Sequence, residues 1–179
     1  MEPLLKLSRA IDSLNAKFAA VADYAVMAAT LISAGNATVR YLFNYSSNGL
    51  LEVQWYLFAA TVMLGTSYTL KMNGHVRVDL VYSAVSDRGR LYIDIIGLVF
   101  FLLPVIGYLC YLTTPFFLNS FRSGEMSMNA GGLVLWPAKL MLPLGFALLW
   151  LQGLSELIKR IAALQGLVSV DTHYEKPLQ

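Results

Sequence analysis

Charged residues are scarce in this 179-residue sequence, which limits the classes of protein to which it can belong. Asp, Glu, Lys and Arg make up only 13% of the chain, whereas they make up about a quarter of a typical soluble domain. Hydrophobic residues make up 57%, and the mean hydropathy is +0.59. The net charge of +2 is too small to indicate a nucleic-acid partner. This composition predicts an integral membrane protein.

Residues that bind metals or haem are also few. The chain has one cysteine, Cys110, and two histidines, His75 and His173. A four-helix cytochrome needs axial ligands inside the bundle, commonly histidine, and both histidines lie outside the apolar segments. The sequence therefore predicts no metal site and no cofactor in this chain.

Motifs of catalysis and secretion are missing as well. The sequence contains no G-x-S-x-G, no H-E-x-x-H and no Walker loop, so we do not expect an enzyme. The first eighteen residues carry charges throughout and have no continuous apolar segment, which argues against a cleavable signal.

Four apolar segments, by contrast, are long enough to cross a bilayer, whose hydrocarbon layer of about 30 Å requires ~20 helical residues. Their approximate ranges are 19–39, 50–70, 91–112 and 133–157. Pro104 is expected to bend the third segment, and Pro137 and Pro143 the fourth. We predict an all-α integral membrane protein with four transmembrane helices. They form a single domain over residues 1–165, followed by a tail at 166–179.

Basic residues lie mostly on one side of this four-span path. Ten of the thirteen Lys and Arg residues fall in the N-terminal arm, in the 71–90 connector and in the residues that follow the fourth span. Because basic residues favour the cytoplasmic side, both termini and the connector are predicted to be cytoplasmic. Gly74 is expected to help the chain turn into the connector.

Two segments next to the spans have an apolar face at helical spacing. In the arm, residues 1–18, the apolar positions are Leu4, Leu7, Ile11, Leu14 and Phe18. In residues 76–88, they are Val78, Val81, Tyr82 and Val85. We interpret both segments as amphipathic helices. The arm would lie in the membrane plane or against a partner helix, and either placement is compatible with a helical extension of the first span. The connector helix would lie on the cytoplasmic surface.

Ionisable residues are expected near the ends of the spans, with no carboxylate near the middle of any span. A transport pathway usually needs ionisable or coordinating groups deep in the membrane. We therefore expect that the chain does not move a substrate alone. The alternatives are a small transporter or channel that works as a homo-oligomer, and a membrane enzyme or redox anchor subunit.

Small residues share one side of the first span and recur in the second, where helices could approach closely. The first set is Ala22, Ala25, Ala29, Ser33, Asn36 and Arg40, and the second includes Thr61 and Gly65. These faces would pack either within the bundle or on a second protein. Arg40 and Glu52 flank the same turn and are expected to pair. Lys139 would either snorkel to the interface or meet Glu52 or a carboxylate of a partner.

Two segments make the chain similar to a known family. The sequence GHVRVDL, residues 74–80, follows the second span, and WPAKLMLPLGFALLWLQGLSELIKRI forms the fourth. Together with the basic arm and the four spans, they resemble the small membrane subunit of tripartite ATP-independent periplasmic (TRAP) transporters over nearly the whole chain.

The resemblance implies partners and a location in the bacterial inner membrane. A large membrane subunit would carry the substrate and sodium sites, and a soluble periplasmic protein would capture the substrate, often an organic acid. The small subunit would scaffold the large one and help dock the binding protein during ion-coupled uptake.

Charged residues on both sides of the membrane are the candidate interface with these partners or with lipid. The cytoplasmic set, expected to hold the connector turn and to contact lipid phosphate or the large subunit, is His75, Arg77 and Asp79. The periplasmic set is Arg40, Glu52, Arg122, Glu125 and Lys139. The i, i+4 spacing of His75 and Asp79 also fits an acid–base or pH-sensing pair, but a structural role is favoured because no nucleophile or metal site accompanies them.

Overall fold

The computed structural model describes residues 1–74 and 85–168. Within these ranges the helices are α1 (Glu2–Phe43), α2 (Asn48–Lys71), α3 (Asp87–Ile96), α4 (Leu103–Ser123) and α5 (Trp136–Leu164). A π-helical segment, Gly97–Leu102, joins α3 to α4 without a break. The described residues contain no strand beyond one isolated bridge in the α4–α5 loop. The prediction of an all-α protein is confirmed.

Among the described residues, three helical elements are long and apolar enough to cross a membrane: Glu2–Phe43, Asp87–Ser123 and Trp136–Leu164. α2 occupies the place of the predicted second span, residues 50–70, but is not one of these three candidates. Polar side chains along α2, such as Gln54 and Ser67, lower its hydropathy. The structure therefore contains three candidate spans where the sequence predicted four.

α1 is one helix of 42 residues, so the arm and the first span share an axis. At 1.5 Å per residue the helix is about 63 Å long, roughly twice the thickness of the hydrocarbon layer. For the arm, the structure shows the helical extension of the first span. Ser8 and Asn15 are buried in it, whereas Leu4 and Leu7 are exposed. The predicted apolar face is therefore divided, because Ile11 is buried together with Ser8 and Asn15 while Leu4 and Leu7 lie outside.

α5 is the central helix, because it contacts α1, α2, α3 and α4. Ala22, Leu64 and Leu148 form the apolar core between α1, α2 and α5. Two glycines let neighbours approach α5 closely. A Cβ on Gly145 would lie 2.6 Å from the Cβ of Met63, and one on Gly153 would lie 2.6 Å from a methyl group of the π segment. At these two glycines, neighbouring residues thus pack directly on the backbone of α5, in addition to the small apolar core.

The small residues of α1 and α2 pack against each other. Ala22 and Ala25 are buried, and the Thr61 hydroxyl donates a hydrogen bond of 3.5 Å to the carbonyl of Ala22. A Cβ on Gly65 would lie 3.9 Å from the Cβ of Ala22. Of the two alternatives for these faces, packing within the bundle is therefore the one observed for these residues.

The prolines affect their helices in different ways. Proline lacks an N–H and its ring crowds the preceding turn. The π segment lies directly before Pro104, and the amide of Leu103 bonds to the carbonyl of Leu98, five residues back. The third predicted span is thus irregular at Pro104. Pro137, in contrast, lies in the first turn of α5, where an N–H has no helical partner, so the expected bend at Pro137 was wrong.

A left-handed residue ends α2. Asn73 has φ 59°, and the amide of Gly74 donates to the carbonyl of Thr69 at 3.0 Å. Asn is one of the few residues that adopt this conformation readily. The turn out of α2 is therefore made by Asn73 and closed by Gly74. The predicted connector helix, residues 76–88, lies mostly outside the described residues, as does the tail from residue 169 onward.

Candidate functional site

A buried polar network joins the first turns of α1 to the last turns of α5. We call it the arm cluster, and it consists of Ser8, Asp12, Asn15, Asp94, Gln152, Ser155, Glu156, Lys159 and Arg160. Gln152 and Ser155 are fully buried, and Glu156 and Arg160 are nearly so. Buried polar groups are costly unless they are paired, so the pairing decides what this cluster does.

Gln152 lies at the centre of the arm cluster. Its Nε2 donates to Asp12 Oδ1 and to Glu156 Oε1, both at 3.0 Å. Its Oε1 accepts from Asn15 Nδ2 at 2.7 Å. The Ser155 hydroxyl adds a bond of 2.7 Å to Asp12 Oδ1. These bonds hold the arm against α5 in one register.

Two basic residues pair with the three carboxylates of the arm cluster, Asp12, Asp94 and Glu156, and offset two of their three charges. Lys159 Nζ lies 2.8 Å from Asp12 Oδ2 and 2.7 Å from Glu156 Oε1. Arg160 Nε donates to Asp94 Oδ2 at 2.7 Å, and its guanidinium also pairs with Glu156. The cluster therefore links α1, α3 and α5 by charge as well as by packing.

A second polar cluster lies at the opposite end of the bundle. We call it the hairpin cluster, and it consists of Glu52 and its partners in the α4–α5 loop, Ser127, Asn129 and Leu133. Glu52, near the start of α2, is 2% exposed. Its Oε1 accepts from the Ser127 hydroxyl and from Asn129 Nδ2 at 2.8 Å. Its Oε2 accepts from the amide of Leu133 at 2.7 Å. One carboxylate thus binds three points of the loop between α4 and α5.

Further contacts fix the same loop on α2. Asn48 Nδ2 donates to the carbonyl of Ala130 at 3.1 Å, and the Tyr56 hydroxyl donates to the carbonyl of Val134 at 2.9 Å. Residues 126 and 134 form the isolated antiparallel bridge. The loop is therefore a short hairpin held on the end of α2. At its tip, the side chain of Met128 is fully exposed.

Lys139 and Glu125 form an ion pair beside the hairpin. The ammonium group also lies 4.2 Å from the centroid of the Phe116 ring. The hydrogen bond from Lys139 lowers the pKa of Glu125 below its ordinary value, so this carboxylate is ionised at neutral pH. Lys139 therefore pairs with Glu125, and the hairpin, rather than Arg40 or Lys139, supplies the partners of Glu52.

Arg40 lines an open cleft of about 570 Å³ between α1 and α2. Asn36 and Gln54 line it too, and the Asn36 Oδ1 accepts from the amide of Ser47 at 3.5 Å. Gln54 Nε2 is buried and has no hydrogen-bond partner within the described ranges. The guanidinium of Arg40 is suited to bind a phosphate or a carboxylate in this cleft.

The predicted periplasmic set gathers at the hairpin end of the bundle. Its members are Arg40 at the end of α1, Glu52 in α2, Arg122 in the last turn of α4, Glu125 in the hairpin and Lys139 in α5. The structure brings Glu125 and Lys139 into contact, and Glu52 binds the same hairpin. The predicted cytoplasmic set, His75, Arg77 and Asp79, lies outside the described residues.

Sequence reasoning missed the arm cluster. It placed Asp94 and Glu156 near span ends but did not predict that they share a network. The signal was available in α5, where residues 152, 155, 156, 159 and 160 are all polar. This i, i+3, i+4, i+7, i+8 pattern indicates one polar face of a helix. Polar residues of the arm form hydrogen bonds with this face.

Asp23 lies in the part of α1 that continues from the arm into the predicted first span. Because α1 begins at Glu2, Asp23 falls near the middle of its 42 residues. The neighbouring Ala22 carbonyl contacts Thr61, which is near the middle of α2. Asp23 itself is exposed. Asp23 thus lies level with the middle of α2, and the expectation that no carboxylate lies near the middle of a span stays a prediction.

Comparison with protein-family models gives a match to "Tripartite ATP-independent periplasmic transporters, DctQ component" over residues 29–163. No curated protein and no solved structure matches the chain. The matched range covers well over half of the chain. It includes the whole hairpin cluster and the part of the arm cluster that lies on α3 and α5.

Proposed function

The chain belongs to the DctQ family of small membrane subunits of TRAP transporters, and we propose that it scaffolds a large transport subunit rather than carrying the substrate itself. The family is a transporter component and not an enzyme family. Our proposal extends to a multi-pass protein of the bacterial inner membrane with four spans and both termini in the cytoplasm. Substrate transport and sodium coupling would reside in the large subunit.

The closed apolar core between the two polar clusters carries this proposal. Ala22, Leu64 and Leu148 fill the space between three helices, and Gly145 brings α5 against the backbone of Met63. A carrier needs polar groups between its helices near the middle of the membrane. Here the buried networks lie toward the two ends, where they brace the helices against one another. Such an interior suits a rigid support.

The hairpin cluster supports a second role, docking of the periplasmic substrate-binding protein. Glu52 holds the hairpin, so its surface is presented in one conformation. Arg122 and Glu125 place charges of both signs beside it, and Met128 offers an exposed apolar side chain. Charged rims steer association, and a flexible methionine adapts to a partner surface. We propose that this end faces the periplasm and meets the binding protein during uptake of an organic acid or related solute.

Lipid or the large subunit completes the proposed set of partners. The Arg40 cleft is suited to a phospholipid phosphate or to a carboxylate of a partner. On the cytoplasmic side, we propose that His75, Arg77 and Asp79 hold the connector turn and contact lipid phosphate or the large subunit. Replacing all three with alanine would leave complex yield and uptake unchanged if this assignment were wrong.

The scaffold proposal is tested by co-purification. The tagged chain is expressed with the large subunit, extracted in mild detergent and analysed by mass spectrometry. We expect the large subunit to be recovered in equal amounts. Recovery of this chain alone, stable and oligomeric, would instead favour a homo-oligomeric transporter.

The docking proposal is tested by uptake at several salt concentrations. Charge reversals at Arg122 and Glu125 should change the dependence of uptake on the concentration of binding protein, because steering by charge is screened by salt. Lys17→Glu, an exposed charge reversal in the arm, serves as the control. Unchanged kinetics in the hairpin variants would reject the docking site.

A further inference from the structure

Asp23 is an exposed carboxylate in a helix that is long and apolar enough to cross a membrane. It lies at the level of the Ala22–Thr61 contact, near the middle of both α1 and α2. Within residues 1–74 and 85–168, neither a hydrogen bond nor an ion pair reaches this carboxylate. The bundle therefore leaves Asp23 pointing outward, away from its own polar clusters.

With α2 as one of the four proposed spans, its middle lies near the centre of the bilayer, and Asp23 lies at the same level. This depth makes an exposed carboxylate unfavourable. Hydrocarbon offers no donor to a carboxylate, and ionisable side chains at the centre of a bilayer are costly and usually pair with another group. Two polar side chains of the arm are paired instead, because Asp12 and Asn15 both form hydrogen bonds with Gln152 of α5. Asp23 differs from them in that its partner is not within the described bundle.

Small side chains lie next to Asp23 on the same side of α1. The i−3 and i+7 positions are Ala20 and Thr30, and Met27 at i+4 is 54% exposed. We call these four residues, including Asp23, the Asp23 face. Alanine and threonine let a second helix approach closely, and methionine adapts to its surface. The face thus combines room for a helix with one charge in need of a partner.

We propose that a transmembrane helix of the large subunit packs on the Asp23 face and that it carries a Lys or Arg side chain that pairs with Asp23. This inference rests on the proposed scaffold function and adds to it a site of contact and the chemistry of the partner. The guanidinium or ammonium group neutralises the carboxylate in a medium of low dielectric constant, where such a pair is strong.

The other possible occupants fit the Asp23 face less well. A soluble binding protein approaches from outside the membrane and does not reach the middle of a spanning helix. A second copy of this chain packed on the same face would bring a second Asp23, and two close carboxylates repel each other. Lipid alone leaves the carboxylate without a donor. A basic residue on a membrane helix satisfies both the depth and the charge.

Photo-crosslinking locates the contact in the complex of this chain with the large subunit. A photoreactive amino acid replaces Met27, and a matched one replaces Tyr108, which is exposed on α4. We expect Met27 to crosslink to a transmembrane segment of the large subunit and Tyr108 to crosslink to it much less. Crosslinks from Met27 to lipid, to the binding protein or to a second copy would overturn the inference.

Substitution of Asp23 tests the charge. Asp23→Leu and Asp23→Lys should each lower recovery of the large subunit by about tenfold or more, because each leaves a buried basic residue unpaired. Asp23→Asn should have a smaller effect, since the amide still accepts a hydrogen bond. A lipid-facing carboxylate predicts the opposite, since leucine would then leave recovery unchanged or raise it. Glu2→Leu, which removes an exposed carboxylate at the helix end, is the control.

The two experiments separate this inference from the scaffold proposal. If the wild-type chain recovers no large subunit, the scaffold proposal fails. If the wild-type chain recovers it and Asp23→Leu recovers it equally well, only the Asp23 contact is wrong. Thermal unfolding of each purified variant shows whether the bundle itself is intact. A charge swap, with Asp23→Lys and an acidic residue in place of the crosslinked basic one, should restore recovery.

Discussion

Gln152 offers the sharpest test of how the arm is held, because it bonds to three other polar residues while being fully buried. Gln152→Leu keeps the approximate size of the side chain but removes the donors to Asp12 and Glu156 and the acceptor for Asn15. A hydrogen bond to a charged group contributes about 1.5–3 kcal/mol. Leucine recovers part of this by apolar burial.

The remaining contacts limit the expected loss. Asp12 and Glu156 both keep Lys159, and Asn15 Nδ2 keeps the Leu148 carbonyl at 3.4 Å. Two such bonds contribute about 3 kcal/mol at the low end, and leucine recovers part of this, so we expect Gln152→Leu to lower the free energy of unfolding by about 2 kcal/mol. Reversible unfolding of the purified chain in mixed detergent micelles measures this change.

Gln54 provides a matched control, since its Nε2 is buried and unbonded within the described ranges. Gln54→Leu removes no hydrogen bond made by this donor, so it should leave stability unchanged or increase it. Equal destabilisation by the two substitutions would show that glutamine burial, and not the arm cluster, determines the loss. An unaltered Gln152→Leu protein would refute the reasoning outright.

Three further predictions follow from the hairpin and from the helix contacts. Glu52→Ala should free the hairpin, so amide hydrogen exchange at Leu133 should accelerate by about tenfold or more, whereas Glu2→Ala should not change it. Gly145→Ala should destabilise the protein by about 1–3 kcal/mol, because its Cβ would lie 2.7 Å from the carbonyl of Met63. Gly35→Ala, with nothing within 4 Å, should be neutral or stabilising in the same unfolding assay. Lys139 lowers the pKa of Glu125 in the folded protein below its ordinary value of 4.5. The ion pair therefore contributes fully to stability above pH 4.5, and this contribution is lost as the pH falls through the lower pKa of the folded protein. Protection of the hairpin amides, corrected for the intrinsic exchange rate at each pH, should therefore fall at acid pH, and Glu125→Gln should reduce that dependence to the part that comes from Glu52.

The helices themselves could be predicted from apolar run length. The range predicted for the second span, 50–70, agrees closely with α2, Asn48–Lys71. Hydropathy along a chain reports burial in lipid or protein without regard to neighbours, so it locates helices well. It does not report where one helix continues into another. Lys17 and Asp23 interrupt the apolar pattern, yet the backbone runs through both as a single helix.

Contacts between distant segments could not be predicted in the same way. Asp12 and Gln152 are 140 residues apart in sequence, and nothing in either segment alone specifies the other. The pairing of Glu52 with the hairpin has the same character, because a carboxylate near a helix start could equally bind Arg40. Small-residue faces were more informative. Ala22 and Thr61 pack together as their spacing allowed, although spacing alone left a second protein as an alternative.

Reconstituted uptake tests the central claim most directly. Proteoliposomes are prepared with this chain alone, with the large subunit alone and with both, and uptake is measured with the binding protein and a sodium gradient. The account predicts uptake with both subunits, little with the large subunit alone and none with this chain alone. Substrate uptake by this chain alone would contradict it.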